Sequence, residues 1–181
     1  MIDVFKKAVP DAAIVQHLFD STRGNLFYSN LDWFAAAGQM PIAPTPDVRQ
    51  VAFYLGMQLE EVAEKLEAVL GSGSETAREV QALATRFKQR EFDAQVADTL
   101  NNPKGAKALL DGDCDQVWVS IGSARAQGAD VLGAYEAVDR ANWNKRFPDG
   151  TFHLSEAGKV LKPEGWEAPD LSNFIHPSLR K

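Results

Sequence analysis

Helix start and stop signals follow one another along this chain and leave little room for other regular structure. Pro46 and Asp47 precede a periodic run of apolar residues that ends at Gly71, which predicts one long helix. Pro103 opens a second long run, which Gly128 closes. The chain is therefore expected to be all-α. Shorter helices are predicted over 10–24, 29–38 and 74–98, and from Asp130 to a point before Pro148.

The sequence changes character after Phe147. Two short apolar alternations, at 151–154 and 159–162, are separated by Ser-Glu-Ala-Gly, which predicts a small β-hairpin or an extended flap. The tail from Pro163 onward is rich in proline and aromatic residues. A length of 181 residues is typical of one domain. We therefore predict a single bundle-like domain over 1–181, with the flap and tail at 148–181.

Composition narrows the class of protein further. The formal net charge of −6 argues against a broad electrostatic grip on polymeric nucleic acid. No stretch approaches the roughly 20 apolar residues of a membrane-spanning helix, and residues 1–13 lack the pattern of a secretory signal. Cys114, the single cysteine, cannot form an internal disulfide or a cysteine zinc cage. We expect a cytoplasmic protein that binds neither a membrane nor polymeric nucleic acid.

Three glutamates lie close together on the first long helix. At about 100° per residue, Glu60, Glu61 and Glu64 lie within about 100° of one another and roughly opposite the main apolar stripe. An isolated pattern of this kind is typical of a solvated helix face. Phe53 and Met57, however, project on the same side as Glu64, which favours a helix that is packed on two sides. In that interpretation the carboxylates lie at the edge of a second buried contact.

A second pair of carboxylates occupies the helix that begins at Pro103. Asp111 and Asp115 are four residues apart and share a face with small residues that would let another helix or a ligand approach. Two helices that carry carboxylates in this way could converge on one site. A cluster of like charges needs protonation or a cation, and hard oxygen ligands favour Mg²⁺ or Mn²⁺.

Asp113 has no single interpretation from the sequence. It projects near the apolar stripe of this helix, either as an N-terminal capping residue or as an additional metal ligand. Together with Asp111 and Asp115 it also resembles the start of a calcium-binding loop. The later positions argue against that loop, because Gln116 and Gly122 stand where glycine and glutamate are required.

These motifs resemble a known family. Glu60-Glu61-x-x-Glu64, followed by the aspartate-containing second helix, resembles the all-α nucleoside triphosphate pyrophosphohydrolases of the MazG-like group. The C-terminal motifs at 136–145, 149–150, 158–163 and 166–170 resemble those of the bacteriophage members, so that the similarity extends over about 30–70 and 108–171. The chain departs from the family pattern at Gly112, where glutamate is usual and Asp111 is the expected substitute. It also carries an added helical segment over 74–100.

The resemblance implies metal-dependent hydrolysis of nucleoside triphosphates between the α and β phosphates, which gives the monophosphate and pyrophosphate. The phage-like tail favours deoxynucleotides such as dGTP or dUTP. Mg²⁺ or Mn²⁺ is the implied cofactor. The three glutamates are the implied catalytic residues, with Glu60 orienting or deprotonating the attacking water. The implied metal ligands are Glu60, Glu61, Glu64, Asp111 and Asp115.

Basic residues near the flap are the implied ligands of the phosphate tail, because a triphosphate in an acidic site requires positive charge. The alternative for each of them is a solvated helix end beside Pro163. The glycines of the flap favour closure over bound nucleotide, and a fixed cover over the bundle end is the alternative. The implied substrate-binding residues are Asn142, Lys145, Arg146, Lys159 and Lys162.

The aromatic residues near the N-terminus and the three histidines are not expected to belong to the site. Phe27, Tyr28, Trp33 and Phe34 are expected to fill the core rather than to stack on a base, because aromatic residues at helical spacing usually pack in interiors. The three histidines lie far apart in sequence without ligand spacing, so neither a catalytic nor a zinc role is expected.

The sequence also bears on the oligomeric state and on the class of function. A long helix that is apolar on two sides, together with the added segment 74–100, favours a homo-oligomer. The resemblance implies a homodimer or homotetramer with sites near subunit contacts, in the host cytoplasm if a phage encodes it. One alternative is a related phosphoribosyl-ATP or dUTP pyrophosphohydrolase on the same scaffold. The other is a catalytically silent helical phage subunit that binds a host or nucleotide partner.

Overall fold

A computed structural model of the chain describes residues 26–38, 46–156 and 158–180. Within these ranges the regular structure consists of six α-helices and one short 3₁₀ helix, with no strand. None of the described helices is both long enough and apolar enough to cross a membrane. The helix predicted over 10–24 lies outside the described residues. The α-helices are α1 (Leu26–Ala36), α2 (Val48–Leu70), α3 (Glu75–Lys88), α4 (Asp93–Leu100), α5 (Pro103–Ala126) and α6 (Val131–Trp143), and the 3₁₀ helix is Pro177–Leu179.

The capping residues act where the sequence predicts them. Asp47 caps α2, because its Oδ1 accepts from the backbone N–H groups of Arg49 and Gln50 at 3.0 and 3.1 Å. Gly71 ends the same helix at a φ of 93°, a left-handed conformation that a residue with a Cβ rarely adopts. Asp130 caps α6 by accepting from the backbone N–H of Gly133 at 3.1 Å. The predicted bounds of α2, α5 and α6 are therefore confirmed to within a few residues.

The prediction of one helix over 74–98 is wrong. The segment forms α3 and α4, separated by a turn in which Arg90 has a left-handed φ of 72°. Across this turn the rings of Phe87 and Phe92 lie 4.5 Å apart, and the guanidinium of Arg86 is bonded to the carboxylate of Glu91. Residues five apart lie about 140° from each other around a continuous helix, so these contacts form only where the helix is interrupted and they favour the turn. The predicted start at 29 is also late, because α1 already begins at Leu26.

The chain divides into two compact units, and the division falls within α5 between Ser120 and Ile121. The first unit contains the described residues 26–38, 121–156 and 158–180, and the second contains the described residues 46–120.

In the second unit, α2 packs against α3 through small residues. The buried residues of α2 are Ala52, Gly56 and Ala63, and those of α3 are Ala77 and Ala84. A Cβ added to Gly56 would lie 2.8 Å from the carbonyl oxygen of Ala84. The two backbones therefore approach more closely than large side chains would allow. The large apolar residues of the predicted stripe of α2 are half-buried except for the last, which is 80% exposed; the stripe consists of Val48, Val51, Leu55, Leu59, Val62, Leu66 and Val69.

In the first unit, tryptophan N–H groups join α1 and the tail to α6. The indole Nε1 of Trp33 donates to the carbonyl oxygen of Asn142 at 2.9 Å, and that of Trp166 donates to the carbonyl oxygen of Ala141 at 2.8 Å. The Trp33 ring also meets the ring of Phe34 edge-on at 5.3 Å. Trp33 and Phe34 are half-buried and contact other rings, and their expected role in filling the core rather than stacking on a base stays a prediction. The side chains of residues 27 and 28 lie outside the described part of the structure.

The flap contains one isolated antiparallel bridge, between Leu154 and Val160, and no strand among its described residues. The backbone N–H of Leu161 donates to the carbonyl oxygen of His153 at 2.8 Å. Pro163 follows two residues later and has no N–H with which to extend the ladder. Of the two forms predicted for this segment, the extended flap describes it better than the β-hairpin.

Candidate functional site

The predicted metal ligands, called the acidic group here, are Glu60, Glu61, Glu64, Asp111 and Asp115. All of them lie in the second unit, the glutamates on α2 and the aspartates on α5. Glu60 is half-buried, and the other four side chains are exposed. Among the described residues, no three acidic, histidine or cysteine side chains lie close enough together to hold one metal ion. The convergence expected from the sequence is not present within the described chain.

Glu60 contacts a cation. Its Oε1 lies 3.0 Å from the Nζ of Lys88 at the end of α3, and the two side chains are 19% and 21% exposed. The stem of Lys88 lies beside Gly56, because a Cβ added to that glycine would be 2.7 Å from Lys88 Cγ. A larger residue one turn before Glu60 would therefore displace the lysine. Lys88 was not predicted from the sequence. Gly56, which leaves room for the stem of the lysine, was the signal that could have indicated it.

Asp113 contacts α2. The amide nitrogen Nε2 of Gln58 donates to Asp113 Oδ1 at 2.9 Å, which joins the two long helices. The N-capping interpretation of Asp113 is wrong, because the residue lies in the middle of α5. The same helical geometry excludes the calcium-loop alternative for the run 111–115. Gln58 lies one helical turn before Glu61, so the side of α2 that carries Glu61 is the one nearest Asp113.

Asp111 and Asp115 lie on the other side of α5. At about 100° per residue, each is about 160° around the helix axis from Asp113, the residue that contacts α2. Within one chain these aspartates therefore face away from the glutamates of α2. The second inward face that the sequence predicts for α5 is exposed.

Large apolar side chains share this exposed face of α5. Trp118 is 79% exposed and lies within about 60° of Asp111 and Asp115 around the helix axis. Val119 is 62% exposed and lies within about 40° of Asp115, and no residue of α5 is buried. An apolar helix surface of this kind is typical of an interaction site.

The predicted substrate-binding residues, called the basic group here, are Asn142, Lys145, Arg146, Lys159 and Lys162. All of them lie in the first unit, around the C-terminal end of α6 and the flap.

Two members of the basic group meet at Trp166, and a third contacts one of them. The Nζ atoms of Lys145 and Lys162 lie 5.4 and 4.3 Å from the centroid of the Trp166 ring. Lys145 Nζ also donates to Asn142 Oδ1 at 2.7 Å. Trp166 begins the motif at 166–170, but no role was predicted for it. Its position four residues after Lys162 was the signal that could have indicated one.

Arg146 and Lys159 have other surroundings. The guanidinium carbon of Arg146 lies 4.8 and 5.4 Å from the ring centroids of Trp143 and Phe152. Lys159 lies in the exposed turn of the flap, where its backbone N–H donates to Ser155 Oγ at 3.1 Å. The described structure therefore brings Asn142, Lys145 and Lys162 together and holds Arg146 on a different pair of rings.

His153 has a local structural role in the flap. Its ring stacks on Phe147 with centroids 3.8 Å apart, and its Nε2 lies 2.9 Å from Asp149 Oδ2. The hydrogen bond from His153, helped by bonds from the backbone and hydroxyl of Thr151, lowers the pKa of Asp149 from 3.8 to about 2. His176 accepts from the backbone N–H of Ser178 and caps the 3₁₀ helix. His17 lies outside the described residues.

Comparison with solved structures identifies a similar fold. The crystal structure of a "putative NTP pyrophosphohydrolase" from Exiguobacterium sp. 255-15 matches with a TM-score of 0.50 and 25% sequence identity. The match covers 79% of this chain and 88% of that chain. The two proteins share an all-α fold. The fold class predicted from the sequence is thereby confirmed. Neither the family models nor the curated proteins that were compared match this chain.

Proposed function

We propose that this chain is a metal-dependent nucleoside triphosphate pyrophosphohydrolase. It would hydrolyse the bond between the α and β phosphates and release the monophosphate and pyrophosphate. The observation that carries the proposal is the all-α fold shared with a protein named "putative NTP pyrophosphohydrolase", over 88% of that protein's length. The family pattern in the two acidic helices and in the C-terminal motifs agrees with it.

The acidic group is proposed to hold Mg²⁺ or Mn²⁺. Its donors are carboxylate oxygens, which are the ligands that hard divalent cations prefer, and four of the five side chains are exposed. A bound cation would withdraw charge from the phosphoryl oxygens and lower the pKa of a coordinated water. Glu60 is proposed to orient the attacking water or accept its proton, and its contact with Lys88 would fix the position of this carboxylate.

A second copy of the chain is proposed to complete the acidic group. Asp111 and Asp115 face away from α2 within one chain, and they share the exposed face of α5 with Trp118. A homodimer or homotetramer that covers this face would bury Trp118. It would also bring Asp111 and Asp115 of one copy close to another copy. Sedimentation at micromolar concentration should therefore show a species heavier than the 19.9 kDa chain. Trp118→Glu should shift it towards the monomer, and a wild-type monomer would contradict the proposal.

The basic group is proposed to bind the phosphate tail. Lys145 and Lys162 lie against one tryptophan ring and Lys145 donates to Asn142, and Arg146 and Lys159 would add further positive charge. Closure of the flap over the nucleotide belongs to this proposal, because turns at glycines with positive φ, such as Gly150 and Gly158, can act as hinges. Deoxynucleotides, with dGTP and dUTP as first candidates, are the proposed substrates. This preference rests on the phage-like C-terminal motifs.

The test is pyrophosphate release from a panel of ribonucleoside and deoxynucleoside triphosphates with Mg²⁺ or Mn²⁺. We expect equal amounts of monophosphate and pyrophosphate, and complete loss of activity in excess EDTA. Release of orthophosphate instead would indicate a different bond, and unchanged hydrolysis in EDTA would exclude the proposed metal site. Adding phosphoribosyl-ATP to the panel tests the related activity on the same scaffold.

A catalytically silent subunit is the second candidate. The separation of the carboxylates within the described chain favours it, because three of them do not share an ion position there. The same panel separates the two candidates. A silent subunit would bind a nucleotide without releasing pyrophosphate under any metal condition, even as an oligomer.

A further inference from the structure

We propose that Trp166 is a positioning residue whose indole ring holds Lys145 and Lys162 as one phosphate-binding pair. The inference rests on the proposed function, because the phosphates concerned are those of the nucleoside triphosphate. It deepens that function by identifying what assembles the two cations.

The two lysines come from different parts of the chain. Lys145 follows the end of α6, whereas Lys162 belongs to the flap. Their Nζ atoms lie 5.4 and 4.3 Å from one ring centroid, and both distances are within the range of about 6 Å in which a cation is attracted to an aromatic face. The two Nζ atoms therefore lie within about 10 Å of each other.

The ring itself is fixed by hydrogen bonds. Trp166 Nε1 donates to the carbonyl oxygen of Ala141 at 2.8 Å. The backbone N–H of Trp166 donates to the carbonyl oxygen of Pro163 at 3.1 Å. Lys145 is tied to the same part of α6, because its Nζ donates to Asn142 Oδ1 at 2.7 Å. The orientation of the ring and the position of one cation are thus both set by the last turn of α6.

An aromatic ring suits this task better than a carboxylate would. Two ammonium groups near one another repel, and the negative face of the ring offsets part of that repulsion. The ring carries no net charge, so the pair keeps both positive charges for an anion. A pair that is ordered before the anion arrives also loses less side-chain entropy on binding. Each ammonium retains donors with which to bind phosphate oxygens.

The experiment compares Trp166→Leu with Trp166→Phe. Both variants lose the indole N–H and its bond to Ala141, but only phenylalanine keeps an aromatic face. Binding of inorganic tripolyphosphate, measured by calorimetry, should weaken about 5- to 10-fold in Trp166→Leu and by no more than about twofold in Trp166→Phe. KM for the nucleotide should follow the same order, with kcat unchanged in both variants.

The outcomes separate this inference from the proposed function. Equal weakening in the two variants would overturn the inference, because the common loss is then the N–H bond. If Lys145→Met and Lys162→Met raise KM while Trp166→Leu does not, the inference fails and the proposed function stands. If the wild type neither binds tripolyphosphate nor releases pyrophosphate from any nucleotide, both fail.

A measurement on the wild type decides the matter if Trp166→Leu does not fold. In ¹³C-labelled protein, the ε-methylene protons of Lys145 and Lys162 should be shifted upfield by the ring current of Trp166. The same signals should move when tripolyphosphate is added. Signals at ordinary lysine positions, or signals that do not respond, would overturn the inference.

Discussion

The acidic group and the basic group differ in what holds their side chains. In the basic group, Lys145 and Lys162 lie against one ring, that of Trp166, within a single chain. In the acidic group, Glu60 pairs with a lysine of α3, and the two aspartates of α5 face away from α2. One group is gathered, whereas the other is spread over separate helix faces.

The difference follows from the physics of the two kinds of charge. A ring face attracts cations without adding an opposite charge, so lysines can gather there and still attract an anion. Carboxylates that gather require a proton or a cation. Without one they remain apart, or they pair with a basic side chain as Glu60 does. We therefore expect the basic group to act within one chain and the acidic group to need a metal and a second copy.

Removing a charge from the acidic group should have the largest effect. Glu61→Gln or Asp115→Asn removes a proposed metal ligand with little change in volume, so pyrophosphate release should fall by about a thousandfold or more. Helix content measured by circular dichroism should not change, because both side chains are exposed. Glu79→Gln, at an exposed position of α3, is the matched control. Equal rates in all three variants would remove the acidic group from catalysis.

Removing charge from the basic group should weaken binding and leave the chemistry intact. Lys159→Ala combined with Lys162→Ala should raise KM about tenfold while kcat changes little, because two ligands of the phosphate tail are lost. Tm should fall only slightly, since both side chains are exposed. Lys104→Ala with Lys107→Ala removes the same charge from exposed positions of α5 and serves as the control. A lower Tm with unchanged KM would identify the flap as a fixed cover.

Local sequence accounts for the part of the fold that could be predicted. Asp47, Gly71 and Asp130 act on backbone groups within a few residues, so the ends of α2 and the start of α6 followed from the sequence. The break between α3 and α4 did not, because it depends on the contact of Phe87 with Phe92 across a turn. The apolar residues of this segment recur at nearly the same helical spacing with and without such a turn, so their spacing did not reveal the break.

Contacts between helices account for what the sequence did not predict in the site. Large apolar residues suggested the covered face of α2, whereas the residues buried against α3 are small. The rotation of each helix about its axis decides which carboxylate meets which neighbour. For that reason the pairs Gln58–Asp113 and Glu60–Lys88 were missed. The contact between Asn142 and Lys145 spans three residues at one helix end; both were predicted as substrate-binding residues, but their contact with each other was not predicted.

The close approach of α2 to α3 should have a moderate effect on stability. Gly56→Ala would bring a Cβ to 2.8 Å from the carbonyl oxygen of Ala84, which is backbone and must shift. We expect the free energy of unfolding to fall by about 1–3 kcal/mol. Gly112→Ala on α5 meets nothing within 4 Å and should raise it by about 0.5–1 kcal/mol, because alanine favours helix. Urea unfolding of both variants measures the contrast, and equal effects would contradict the close packing.

The smallest effect is expected in the flap, where one local hydrogen bond sets the pKa of a carboxyl group. The carboxylate of Asp149 can only accept, so His153 Nε2 donates to it, and this bond contributes most to the lowering of the Asp149 pKa from 3.8 to about 2. A lowered pKa in the folded state means that the bond stabilises the flap above pH 3.8 and that this contribution is lost as the pH falls towards about 2. In His153→Leu, a carbon NMR titration should show the pKa of Asp149 moving up towards 3.8. Asp170 is the internal control, because the hydrogen bonds that lower its pKa come from Ser172 and should be unaffected. If both pKa values moved together, the change would reflect partial unfolding of the tail, and if the pKa of Asp149 stayed low, the bonds from Thr151 would be the main cause.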